Sequence, residues 1–187
     1  MLSAASQPTG LLTSSAISPR CARLAVADNT IYVGGGLITI IGGETRINLG
    51  AVDAATGAAT PWAPERGGIV NALAVSGGTV YVAADGDLVA IDAVSGAIDW
   101  NADPGGGGVS TLAISGNTIY AGGNFRTMGG QAHPGIAAID RATGSAADWN
   151  PNLAGFPPLQ PFPIVSAVAT SGNVVYVGGA SAAPTGR

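Results

Sequence analysis

The chain contains four tyrosines, and all four fall in the same slot of an internal repeat. The repeated segments are LAVADNTIYVGG from Leu24, LAVSGGTVYVAA from Leu73, LAISGNTIYAGG from Leu112 and VATSGNVVYVGG from Val168. The three tryptophans share a second slot: Trp62, Trp100 and Trp149 each close an Asp-x-x-(Thr/Ser)-Gly run. Self-similarity at a period of about 40–50 residues marks a solenoid or a propeller, because each unit buries its faces only against its neighbours. The repeat also assigns the aromatics to architecture, which leaves few residues for chemistry.

The third unit shows the local scheme. VSTLAIS (109–115) reads as a short apolar strand, Gly116-Asn117 as a tight hairpin, and TIYAGG from Thr118 as the return strand. A long connection, NFRTMGGQAHP, precedes a third strand, GIAAID from Gly135; Arg141 to Gly144 form a turn, and SAADWN is a short fourth strand broken at Asn150-Pro151. Four short antiparallel strands in meander order describe one propeller blade. In the second unit the same reasoning predicts strands near 70–75, 79–84, 87–92 and 97–101. Tyr32 and Asp53 are 21 residues apart, Tyr81 and Asp92 are 11, and Tyr120 and Asp140 are 20. The length variation therefore sits in one connection, on one rim, where insertions cost little.

The units run approximately over 21–66, 67–107, 108–156 and 157–187, forming a single all-β propeller domain. The fourth unit stops after its second strand, following the Pro-rich NPNLAGFPPLQPFP, and Thr9 to Thr13 are a weak match to the last strand of an earlier unit. The expectation is about three full and two partial units of an incomplete ring. Open blade edges would let the isolated chain self-associate. The alternative is a small closed ring in which residues 9–14 complete the last blade.

Composition excludes several functions. Only 10% of residues are charged, there is no lysine, the seven basic residues are scattered arginines, and the net charge is −4. With a pI near 4.6, nucleic acid and anionic membrane surfaces are poor partners. No run of 18 apolar residues exists to insert into a membrane. The first 20 residues lack a basic start and an apolar stretch, so Met1 does not open a signal peptide, and Ser18-Pro19-Arg20 before Cys21 is a poor lipoprotein cleavage site. Cys21 is the only cysteine, so no internal disulfide can form.

AIDAVSGAIDW, from Ala90 to Trp100, resembles the tryptophan-docking motif of quinoprotein-type propellers, Ala-x-Asp-x-x-Thr-Gly-x-x-x-Trp, with Ser95 in place of Thr. AVDAATGAATPW from Ala51 and AIDRATGSAADW from Ala138 carry one extra residue before Trp. With GGNFRTMGG and the LAVSG…YVGG strands, residues 21–179 resemble bacterial propeller repeats of the PQQ-like and delta-60 families. The resemblance implies a fold more than a function, since this fold serves unrelated tasks. In such motifs Trp packs between neighbouring blades, Asp accepts the N–H groups of the following turn, and Gly supplies positive φ.

The resemblance also raises a quinone-dependent dehydrogenase. That chemistry needs a calcium ion held by carboxylate and amide oxygens, a catalytic Asp and often paired cysteines. The two glutamates, Glu44 and Glu65, fall in no such motif, so no quinone cofactor is assigned. His133, the only histidine, precedes Pro134 in a rim connection and reads as a solvated loop residue without a nucleophile partner. Asp85-Gly86-Asp87 and Asp99 to Asp103 read as turn and solvent acids, because calcium needs five or more converging oxygens. Gly34-Gly35-Gly36 precedes no helix and no lysine, so it reads as a strand end with a bulge and not a phosphate cradle. Cys21 reads as a small buried residue beside Arg20 and Arg23. No catalytic, cofactor-binding or metal residue is assigned. The expected function is a non-enzymatic binding or scaffold module of a secreted or cell-surface bacterial protein, with an unknown protein or glycan ligand. Its binding surfaces are expected on the long connections of units one and three.

Overall fold

A computed structural model of the chain describes residues 22–66, 68–153 and 163–180. Within them the chain forms antiparallel β-sheets laid side by side as blades around an axis. Blade 1 holds β1 (Arg23–Ala27), β2 (Thr30–Gly34), a small hairpin of β3 (Ile40–Ile41) and β4 (Glu44–Thr45), and β5 (Leu49–Asp53), with β1-β2-β5 forming its sheet. Blade 2 holds β6 (Val70–Ser76), β7 (Thr79–Ala84), β8 (Asp87–Asp92) and β9 (Ile98–Ala102) in one four-stranded meander. These are the four strands expected for unit two. After β10 (Pro104–Gly105), blade 3 holds β11 (Val109–Ser115), β12 (Thr118–Gly123), the hairpin of β13 (Thr127–Met128) and β14 (Gln131–Ala132), and β15 (Ile136–Asp140). Blade 4 is the pair β16 (Ile164–Ser171) and β17 (Val174–Ala180). Among the described residues no helix is long and apolar enough to cross a membrane.

Blades 1 and 3 fall short of the expected four-stranded scheme with its short fourth strand. Their fourth strand shrinks to one isolated bridge, Val52 to Ala59 in blade 1 and Ile139 to Ala146 in blade 3. Blade 2 has one residue fewer between Asp92 and Trp100 than the other two have between Asp and Trp. Pro61 and Pro151 also deny the outer segments of blades 1 and 3 an N–H donor.

Two clusters between blades make the core. The first joins Tyr32, Ala51 and Trp62 of blade 1 to Val80, Val82, Val89 and Ile91 of blade 2. The second joins Tyr81, Ala83 and Ala90 of blade 2 to Val109, Ile119, Phe125 and Ile139 of blade 3. A single rule covers both. Strand periodicity puts Tyr, small Ala residues and Leu49 or Leu88 on one face of blades 1 and 2 and Val and Ile residues on the other face of blades 2 and 3, and the first face of each blade meets the second face of the next.

The tryptophans bridge the blades. The Trp62 indole N–H donates to the Asp92 carbonyl at 2.9 Å, and that of Trp100 to the Arg141 carbonyl at 3.1 Å. Tyr32 meets Trp62 edge-on at 5.0 Å between centroids. Trp100 is only half-buried, less than an inter-blade core residue was expected to be, although its ring packs against Gly144 of blade 3.

Candidate functional site

The inner strands β1, β6, β11 and β16 line one open cavity of about 300 Å³ at the axis. The polar residues in its wall are Arg23, Asn71, Ser110, Thr111 and Ser166. Three of them arrive by the same device. The pairing slips between Val70 and Ala72, between Val109 and Thr111, and between Val165 and Ala167, so that Asn71, Ser110 and Ser166 are each the extra residue of a bulge. A bulge re-aims one side chain, and here it turns a polar residue from each of blades 2, 3 and 4 toward the axis. Arg23 joins them from blade 1, its Nε donating to the Asn71 carbonyl at 2.5 Å. Among the described residues the wall offers hydroxyls, an amide and one guanidinium, groups that hydrogen-bond a polar ligand. The signal was present in the sequence as a polar residue two positions before Leu73, Leu112 and Val168.

His133 is not the solvated loop residue expected. It is buried, and neither ring nitrogen has a hydrogen-bond partner among the described residues. The reason is the fold-back of the β13–β14 hairpin. The His133 N–H donates to the Arg126 carbonyl and that of Gly135 to the Phe125 carbonyl, which draws the connection against the fully buried Phe125 and Met128.

Asp99 and Asp103 are exposed, whereas Asp85 and Asp87 face protein donors. An Asp85 carboxylate oxygen accepts the Ile69 N–H at 2.8 Å, and Asp87 pairs with Arg66 at 2.8 Å. Glu44 and Glu65 are exposed. Among the described residues no three His, Cys, Asp or Glu side chains group as metal ligands. Asp53, Asp92 and Asp140 each cap a turn: one oxygen accepts two backbone N–H groups and the hydroxyl of Thr56, Ser95 or Thr143. These bonds, the hydroxyl's first, hold all three carboxyls below the ordinary aspartate range. Gly34 ends β2 as expected, but no bulge interrupts its pairing. A Cβ there would sit 2.6 Å from Val70 Cγ1, so glycine is required by the approach of blade 2. Cys21 lies outside the described residues.

The two long connections share a buried apolar anchor, Ile38 and Ile41 in blade 1 and Phe125 and Met128 in blade 3, but differ in what they expose. In blade 3 the apolar side chains Phe125 and Met128 point inward and are fully buried. In blade 1 Leu37, Ile40 and Ile47 are exposed, Leu37 at 70%. Leu37 has φ of +65°, a left-handed conformation that a leucine rarely adopts. Asn48 holds it there: its side chain accepts the Ile38 N–H at 3.0 Å, its own N–H donates to the Ile38 carbonyl, and its carbonyl accepts from Gly35.

Side-by-side four-stranded or reduced meanders around an axis, with aromatics bridging neighbours, define a β-propeller. The family model described as outer membrane protein assembly factor BamB, of the PQQ-like repeat type, matches residues 46–186, and the chain belongs to that family. Solved structures agree on the fold. The computationally designed Ika4 protein is 18% identical, with a TM-score of 0.61 over 87% of each chain. BamB from Moraxella catarrhalis is 23% identical, with a TM-score of 0.57 over 83% of this chain and 46% of that one. The Pan2 WD40 domain of Neurospora crassa is 16% identical, with a TM-score of 0.52 over 79% of this chain and 42% of that one. The chain thus spans less than half of the BamB and Pan2 structures. A comparison with curated protein sequences gave no significant match.

Proposed function

We propose that the chain is a non-enzymatic protein-binding propeller module that works in the bacterial cell envelope, on the secreted or cell-surface side. The observation that carries this reading is the blade 1 connection. It displays Leu37, Ile40 and Ile47 to solvent on a backbone locked by Asn48, with Leu37 held in a strained conformation. Exposed apolar residues on an ordered loop mark interaction surfaces, and backbone strain gathers where function maintains it. Membership of a family described by outer-membrane protein assembly supports the envelope setting and a protein partner.

A photo-crosslinking residue placed at position 40 or 47 in the source organism tests this. The same probe at Ala55 is the control, because the Asp53 turn lies at the opposite end of the blade 1 sheet. Capture of one protein partner from 40 and 47, and not from 55, is the expected result. Equal capture from all three positions would remove the loop from the proposal. Tight, calcium-dependent binding of pyrroloquinoline quinone with dye reduction by the purified protein would replace it with a quinoprotein enzyme.

A further inference from the structure

The axial cavity gathers polar side chains that the fold itself leaves unused. Asn71, Ser110 and Ser166 stand at the bulges of β6, β11 and β16. The Asn71 amide and the two hydroxyls hold no hydrogen bond among the described residues. At the other end of the sheets the hydroxyls are engaged: those of Thr56, Ser95 and Thr143 each bind the aspartate of their turn. Three blades thus interrupt their pairing to present a side chain without a protein partner, and bulges that re-aim a side chain gather next to functional sites.

Arg23 supplies the charge. Its Nε is fixed on the Asn71 carbonyl at 2.5 Å, and its two terminal nitrogens hold no partner among the described residues. A guanidinium held by Nε keeps the edge of Nη1 and Nη2 for a second acceptor, and that planar fork matches a carboxylate. Among the described residues no carboxylate lines the cavity to compete for it. A single cation balances a single negative charge, which favours a carboxylate over a doubly charged phosphate. Hydroxyls and amides both donate and accept, as the hydroxyls of a polyhydroxylated ligand do. Leu73 and Leu112 in the same wall offer apolar surface to its carbon skeleton. The cavity volume of about 300 Å³ stands at the small end of ligand pockets, which run from roughly 300 to 1,000 Å³.

We propose that the axial cavity binds a small hydroxylated monocarboxylate of the uronic- or aldonic-acid class. Its carboxylate sits on the Arg23 fork and its hydroxyls on Asn71, Ser110 and Ser166. Such a group occurs as a free acid and as a unit of an acidic glycan, with the same chemistry in both. The site shares no residue with the blade 1 connection and does not depend on it.

An NMR titration of the chain with D-galacturonate and with D-gluconate tests this, read at the Asn71 side-chain amide and the Arg23 Nε–H. Both resonances should shift saturably with either acid. Galactose lacks the carboxylate and acetate lacks the hydroxyls, so each should bind about tenfold more weakly or worse. Arg23→Gln should weaken both acids by about tenfold or more, and Arg23→Lys by less, since it keeps the charge and loses the fork. Ser110→Ala and Ser166→Ala should each weaken them severalfold while the spectrum stays dispersed, because both side chains face open space. Tighter binding of trigalacturonate than of the monomer would assign the ligand to a glycan, and equal binding to the free acid. The absence of a saturable shift with either acid would overturn the proposal. So would binding that Arg23→Gln leaves intact, or galactose or acetate binding as tightly as the two acids.

Discussion

Tyr81 and Tyr176 hold the same place in the repeat, one in blade 2 and one in blade 4, yet Tyr81 is 2% exposed and Tyr176 is 57% exposed. The strands around them are alike: β6–β7 and β16–β17 share the inner-strand bulge and the antiparallel register. What differs is the neighbour. Blade 2 has a blade on each side and its own Trp100, 5.9 Å from Tyr81, whereas Tyr176 has neither a following blade nor a tryptophan among the described residues. Local pattern makes the sheet in both cases, but only stacking buries its second face. A repeat blade is thus a half-finished object whose stability comes from its neighbours.

Trp62 and Trp149 offer the most forceful way to break that comparison. Trp62 is buried, packed edge-to-face with Tyr32 and hydrogen-bonded to the Asp92 turn of the next blade. Trp149 touches its own Tyr120 at 5.2 Å, but its indole has no hydrogen-bond partner among the described residues. Trp62→Ala should cost about 3–5 kcal/mol, and Trp149→Ala under about 2 kcal/mol. Equal shifts in urea midpoint would show that docking on the next blade contributes little.

Gly34 and Gly178 give a smaller contrast. Gly34→Val places methyl groups against Val70 and Leu73 and should cost about 1–3 kcal/mol. A Cβ on Gly178 would meet only Ala167 of its own sheet, at 3.8 Å, so Gly178→Val should stay within about 0.5 kcal/mol of the parent. A large loss at Gly178 would mean that its face is already covered.

The smallest effect concerns acid. The Asp53, Asp92 and Asp140 carboxyls are held below the ordinary aspartate value of about 3.9 by hydroxyl and backbone donors. The folded chain therefore binds fewer protons than the unfolded chain in this range. The stability these turns supply is present above roughly pH 4 and is lost as pH falls through that value and below. Blade 4, whose β16–β17 turn at Gly172 contains no carboxylate, should be insensitive. Thermal midpoints recorded between pH 6 and 2.5 should fall, and Asp92→Asn should flatten the fall. An unchanged slope in that variant would remove the turn from the account.

Strand order and spacing were legible because they rest on short-range rules. Alternating Val and Ile with Gly-Gly and Gly-Asn turns specify each hairpin, and the repeated Asp-x-x-(Thr/Ser)-Gly specifies the capped turn. The candidate surfaces were legible only in outline. The long connections of units one and three look equivalent by length and both bury an apolar anchor, Ile41 in one and Met128 in the other, yet only the first also leaves Leu37, Ile40 and Ile47 outside. His133 was misread for the same reason: a loop position between Ala132 and Pro134 says nothing about whether a hairpin folds back over it.

The sequence alone determined the blade, its hairpins, its aromatic slots and the family of propellers to which it belongs, since all of these follow from periodicity and turn chemistry within about 50 residues of chain. The tertiary structure decided which faces are buried, which bulged residues line the axis and why Gly34 must be glycine. Those outcomes depend on atoms that are distant in sequence and meet only when one twisted sheet is laid against the next.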